Sequence, residues 1–207
     1  MEHLEHRLST ALILAVAALL IATPTSAFEG STNRSGVTIT GNQIKDNGAH
    51  GIYLSAYESS GAMANTLSGN TLMGNKGHGI RANGALSLGN TWTQNSVSMN
   101  VAGGITNTSG ANNALKPPTI TTSSRTAVTG VAAPGALVEI FSDNARQGRF
   151  FEGQTQAGAD GRWSFSKSQG WQGATLNATA TDTANNSSGF AVDGTTTLVY
   201  LPLIRRR

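Results

Sequence analysis

Gly41-Asn42-Gln43-Ile44-Lys45-Asp46-Asn47, Gly69-Asn70-Thr71-Leu72-Met73-Gly74-Asn75 and Gln94-Asn95-Ser96-Val97-Ser98-Met99-Asn100 are one pattern written three times. Each copy has Asn, an aliphatic residue two later and a second Asn five later. Nine and ten residues after the first Asn comes Gly-Ile: Gly51-Ile52, Gly79-Ile80 and Gly104-Ile105. An apolar residue precedes the first Asn by three in every copy, namely Ile39, Leu67 and Trp92. The copies are 28 and 25 residues apart. A fixed period of this length marks a solenoid, in which each repeat buries its apolar face only against its neighbours.

Segments such as Val37-Thr38-Ile39-Thr40 alternate apolar and polar residues, the period of a strand. Strands this short bury nothing alone. Stacked at ~4.8 Å, each coil pairs its backbone with the next and joins its inward Ile, Leu or Val to a common core. Asn suits corners because it tolerates left-handed backbone, and its amide can bond to an Asn stacked above it. Gly before Ile suits a tight bend where a Cβ would clash.

The repeat resembles the coil of right-handed parallel β-helix proteins of the pectate-lyase-like class, over roughly residues 31–115. The resemblance implies a fold and leaves the function open, because that scaffold carries lyases, hydrolases, epimerases, adhesins and passive surface proteins. An all-β chain is expected: a short right-handed parallel β-helix of about three coils, followed by a β-sandwich.

Lys116-Pro117-Pro118 ends the repeat as a stiff junction. Beyond it, β-type runs alternate with Pro134-Gly135 and Asp160-Gly161 turns at about ten-residue spacing, the signature of a sandwich. The runs Val128-Thr129-Gly130, Ala136 to Phe141, Arg162-Trp163-Ser164-Phe165 and Ala178-Thr179-Ala180 resemble bacterial immunoglobulin-like modules. That resemblance implies a spacer or a weak binding unit, with no catalytic role.

Composition agrees with an all-β chain rich in turns. Glycine is abundant at 25 residues, charged residues are 12% and aromatics 6%, too polar a mix for a helical bundle. Cysteine is absent, so no disulfide framework holds the fold. Arg7 precedes an apolar run from Leu8 to Ala22, Pro24 breaks it, and Thr25-Ser26-Ala27 offers small residues for cleavage. Residues 1–27 are thus expected to be a signal peptide, being short for a membrane span. The expected organisation is 1–27 signal, 28–116 β-helix, 117–192 immunoglobulin-like sandwich and 193–207 tail. Leu198 to Ile204, followed by Arg205, Arg206 and Arg207, reads either as a sorting tail or as a last strand with a basic end.

Without residues 1–27 the chain keeps 13 basic and 9 acidic residues, about +4, three of those charges being the terminal arginines. That distribution builds no nucleic-acid face, and no integral span remains after cleavage. Hydrolysis of a glycosidic bond normally needs two opposed carboxylates, yet the repeat holds only Asp46 and Glu58. A calcium-assisted lyase needs more acids still. No catalytic set and no cofactor are expected. His50 and His78 share one repeat position and should lie close, a metal pair with no third ligand, so no metal site is assigned. Tyr53, Tyr57 and Trp171 are the aromatics expected at the surface, where a sugar stacks, and Lys45, Lys76 and Arg81 would attract acidic glycans. The expected function is a secreted or cell-surface binding or structural protein whose partner is an extracellular polysaccharide or cell-envelope component. The alternative is a polysaccharide-active lyase or hydrolase, or a truncated descendant of one. The β-helix end lacks an amphipathic capping helix in residues 28–36, which suggests truncation or pairing through an open end.

Overall fold

A computed structural model of the chain describes residues 34–56 and 60–190. The expected signal segment, the tail, Tyr57 and Glu58 lie outside the described residues.

Three coils are present. The first comprises β2 (Thr38–Thr40), β3 (Gln43–Lys45) and β4 (Ile52–Ser55); a two-residue strand, β1 (Arg34–Ser35), precedes it. After β5 (Ala62–Met63), the second coil comprises β6 (Thr66–Ser68), β7 (Thr71–Met73) and β8 (His78–Asn83). The third comprises β9 (Thr91–Thr93), β10 (Ser96–Ser98) and β11 (Gly103–Thr108). Corresponding strands pair in parallel into three sheets, β2-β6-β9, β3-β7-β10 and β4-β8-β11.

The repeat sets the register. Ile39, Leu67 and Trp92 stack in one column, Ile44, Leu72 and Val97 in a second, and Ile52, Ile80 and Ile105 in a third. From Ile44 onward these form one buried core, with Leu67, Leu72, Ile80 and Val97 wholly inaccessible. At Gly79 and Gly104, inside β8 and β11, the glycine before Ile makes no tight bend, but it sits where no Cβ fits: one on Gly79 would lie 2.4 Å from Val97 Cγ1 and 3.1 Å from the Gly104 carbonyl. Gly79→Ala is therefore expected to destabilise by about 1–3 kcal/mol. Urea unfolding of the purified variant measures this, and an unchanged midpoint contradicts the packing described.

The asparagines form ladders. Asn47 donates through N and Nδ2 to Asn75 Oδ1, and Asn75 donates in the same way to Asn100 Oδ1. Asn42, Asn70 and Asn95 repeat the arrangement. A third ladder runs Asn65, Asn90, Asn112. The expected left-handed corner is present but displaced by one residue: Gly41, Gly69 and Gln94 carry the positive φ, as do Asp46, Gly74 and Met99. The Asn that follows keeps ordinary backbone, so the corner residue supplies the bend and the Asn supplies the bonds.

Beyond the junction, six strands form two antiparallel sheets. β12 (Thr119–Ser123), β13 (Ala127–Val131) and β16 (Arg162–Ser166) make one, in the order β12-β13-β16. β14 (Leu137–Asp143), β15 (Phe150–Gln156) and β17 (Thr175–Thr181) make the other, in the order β15-β14-β17. Val128, Trp163, Val138, Ile140, Leu176 and Ala178 fill the space between them. Trp171, expected at the surface, instead packs on this core and donates Nε1 to the Ser124 carbonyl at 2.7 Å.

This second unit is no free spacer. The sheet β15-β14-β17 turns its outer face onto the third coil, so β14 and β17 are buried on both faces. Phe141 and Phe190 join the β-helix core, their rings 5.3 Å apart edge to face. Buried Glu139 accepts bonds from the Thr93 hydroxyl and the Gln94 N–H. Gln147 continues the Asn47 ladder, its Oε1 2.8 Å from Asn100 N and its Nε2 2.8 Å from Asn100 O. The Gly148 carbonyl takes Val97 N–H, the Ser187 hydroxyl takes Trp92 N–H, and Phe190 N–H reaches the Ile105 carbonyl. Residues from four separate places thus act as the next coil. Open solenoid ends expose unpaired edges and core. At the C-terminal end of this β-helix, the following unit is the cap.

Candidate functional site

The outward side chains of β4 and β8 gather the chemistry. Parallel register sets Tyr53 beside Arg81, with Thr106 next in the row on β11. The Arg81 guanidinium lies 5.7 Å from the centre of the Tyr53 ring, a cation–π distance. His50 and His78 stack with ring centres 5.6 Å apart and planes 16° from parallel, and His50 is also 5.3 Å from Tyr53. Four functional side chains therefore share one patch. Tyr53 is 45% exposed and the histidines are half-buried.

Glycines make room for this stack. A Cβ on Gly77 would sit 2.3 Å from His50 Nδ1. In the third coil Gly103 replaces the histidine, so the column ends at His78 with space above it.

The hydrogen bonds fix the donor pattern. His50 Nδ1 accepts the His78 backbone N–H at 2.9 Å, which places the proton of the neutral ring on Nε2. That Nε2 lies 3.4 Å from Arg81 Nη1, so two donors face one another. Arg81 Nε is buried and has no hydrogen-bond partner among the described residues. No salt bridge among the described residues engages Arg81. Among the described residues no carboxylate meets these donors.

Burial and the Arg81 charge both push the His50 and His78 pKa values below the ordinary imidazole value of 6.5, and His78 adds to the effect on His50. The unfolded chain binds these protons near pH 6.5, the folded chain only at lower pH. Unfolding then takes up protons through that window. Stability is expected to be full above about pH 7 and to fall as the pH drops through 6 toward 5, with His50→Gln and His78→Gln each flattening the loss. Thermal melts at half-unit pH steps check this, and an identical profile in both variants contradicts it.

Lys45 and Lys76 stand elsewhere. Lys45 is exposed opposite Met73 on the β3-β7-β10 sheet, and Lys76 is exposed in the turn whose N–H meets the Asn47 carbonyl. Neither joins Arg81. The convergence of Tyr53 and Arg81 had a signal in the sequence: they are 28 residues apart, the repeat period. Among the described residues no three His, Cys, Asp or Glu form a metal-binding group. The two imidazoles meet face to face, an arrangement in which their nitrogens do not converge on one point. No helix among the described residues is long and apolar enough to cross a membrane.

Parallel stacking of three coils around one core, with Asn ladders at the corners, defines a parallel β-helix carrying its own C-terminal cap. In comparison with protein families, the model described as right handed beta helix region matches residues 28–130, in agreement with the parallel coils, which form a right-handed parallel β-helix. The match runs past the junction at Pro117-Pro118 to β13 of the capping unit. None of the curated proteins compared with the chain matches it.

Proposed function

We propose that this is a secreted or cell-surface protein that binds polysaccharide of the cell envelope or its surroundings on the lateral face of the β-helix, without turning it over. The observation that carries the reading is the Tyr53, Arg81, His50 and His78 patch on a rigid parallel sheet. An exposed aromatic ring flanked by fixed hydrogen-bond donors is the surface on which a pyranose stacks and is oriented. Strand β8 is paired on both sides and holds β4 along its length, so little ordering cost falls on binding.

The same patch holds no carboxylate among the described residues, and Asp46 is the one acid described in the three coils. That supports binding over the two-carboxylate chemistry of glycoside hydrolysis. The expected signal peptide supports export. The second unit fits an immunoglobulin-like module in its strand order: β12-β13-β16 and β15-β14-β17 correspond to A-B-E and C′-C-F of that Greek key. Its contacts assign it to capping and holding the β-helix.

The test is a glycan array probed with the full chain, including uronates, with products assayed for new reducing ends and unsaturated sugars. Binding without turnover, lost in Tyr53→Ala and Arg81→Gln, supports the reading. Turnover overturns it in favour of a polysaccharide-active enzyme.

A further inference from the structure

The donor pattern of the patch narrows its ligand, and we infer that the Arg81–His50–His78 cluster is an oxyanion seat, taking the carboxylate, sulfate or phosphate group of its ligand. This rests on the lateral-face reading above and adds the charge that the ligand must carry. An orphaned buried donor costs about 1–3 kcal/mol. Arg81 Nε is such a donor, and among the described residues no carboxylate pairs with the guanidinium. With Nη1 turned to the imidazole, the Nε–Nη2 edge is left as the fork that grips an oxyanion with two parallel bonds. Because Nε is buried, the seat requires a turn about the last side-chain torsions when the ligand enters. His50 adds its Nε2–H, because Nδ1 is fixed as an acceptor by the His78 N–H. A neutral sugar satisfies one or two of these donors; an oxyanion satisfies all of them and the charge.

The seat couples binding to protonation. Among the described residues, the titratable groups that face it are His50 and Tyr53 from the first coil and His78 and Arg81 from the second; in the third, Gly103 and Thr106 occupy the matching positions. Without ligand, Arg81 disfavours imidazolium. An oxyanion between them offsets that charge, and His78, whose Nδ1 accepts no backbone N–H, takes up the proton. His50 stays neutral, since protonating Nδ1 would break its bond to the His78 N–H. Affinity for an oxyanion that stays ionised therefore rises on acidification.

Calorimetry and histidine-ring NMR on the full chain test this, with oligogalacturonate, inorganic sulfate, inorganic phosphate and neutral xylo-oligosaccharide as probes. The expected result is oligogalacturonate binding several-fold tighter at pH 5.5 than at pH 7.5, with the His78 pKa moved upward. Arg81→Lys, which keeps the charge and loses the fork, and Arg81→Gln are expected to lose at least tenfold in affinity while melting no lower than the parent. Tight binding of neutral oligosaccharide with no preference for the acid overturns the seat and leaves the glycan reading standing. Sulfate or phosphate shifting the ring signals while no saccharide binds upholds the seat, assigns it to a non-glycan oxyanion and overturns the glycan reading. Affinity equal in Arg81→Lys or flat with pH overturns the inference.

Discussion

Replacing Trp92 by alanine is expected to cost about 3–5 kcal/mol and to displace one unfolding transition shared by both halves of the chain. Trp92 is 1% exposed and is the largest wholly buried side chain, stacked over Leu67 in the last coil. On its other side it meets the cap: its Nε1 donates to the Ser188 carbonyl at 2.7 Å, and its backbone N–H to the Ser187 hydroxyl. The substitution therefore opens a cavity where coil and cap meet and leaves the Ser188 carbonyl unpaired. Stability in a solenoid is a sum of coil and interface terms. With only three coils, the cap interface is a large share of that sum. Urea unfolding followed by circular dichroism and by the remaining tryptophans, Trp163 and Trp171 in the second unit, separates the outcomes. Coincident transitions at a lower midpoint are expected. Two separated transitions in the parent protein would show that the second unit folds independently and does not cap.

The same interface marks what the sequence concealed. The coil was legible because its evidence is local: one period, one apolar column and one Asn position repeated three times. Even the site was partly legible, since residues one period apart become neighbours, as His50 and His78 do. The cap was not legible, because its parts are Asn112, Glu139, Gln147 and residues 187–190, which share no spacing with the repeat. In β14 the alternation Val138, Glu139, Ile140 reads as a strand with one wet face. Its wet side is in fact dry, and Glu139 is 3% exposed because Thr93 and Gln94 take the place of water. Burial pushes the Glu139 carboxyl above its usual range, with the Thr93 and Gln94 bonds opposing that shift. Strands β12 and β15 were missed for a related reason. Thr119 to Ser123 is nearly all hydroxyl residues, and Phe150 to Gln156 is interrupted by Gly153, so neither shows the apolar alternation that marks a strand. The third Asn ladder escaped because Asn112 lies in a turn of consecutive left-handed residues, 22 residues after Asn90 and off the repeat period.

The ladders themselves carry the second large effect. Asn75→Ala is expected to cost about 3–5 kcal/mol, well beyond the ~1 kcal/mol typical of a single hydrogen bond. Asn75 is wholly buried, and it is a relay. Its Oδ1 accepts two donors of Asn47, its Nδ2 donates to Asn100 Oδ1 at 2.7 Å and to the Ile44 carbonyl at 3.3 Å. Alanine removes all four side-chain bonds: the Asn47 donors, at the half-buried first coil, regain water, whereas the buried Asn100 Oδ1 keeps only the backbone N–H of residue 75 and the Ile44 carbonyl loses its amide donor. Each lost buried bond costs about 1 kcal/mol, and the cavity left by the amide adds to their sum. Gln147→Ala tests the same ladder at its end, where the lost group is half-buried and water replaces it, so about 1 kcal/mol is expected there. Chemical denaturation of the two variants gives the comparison. A large loss for Asn75 with a small one for Gln147 is the pattern of a buried relay with a wet terminus. Equal small losses would mean that the asparagine column follows from the stacking of the coils and does not hold them together.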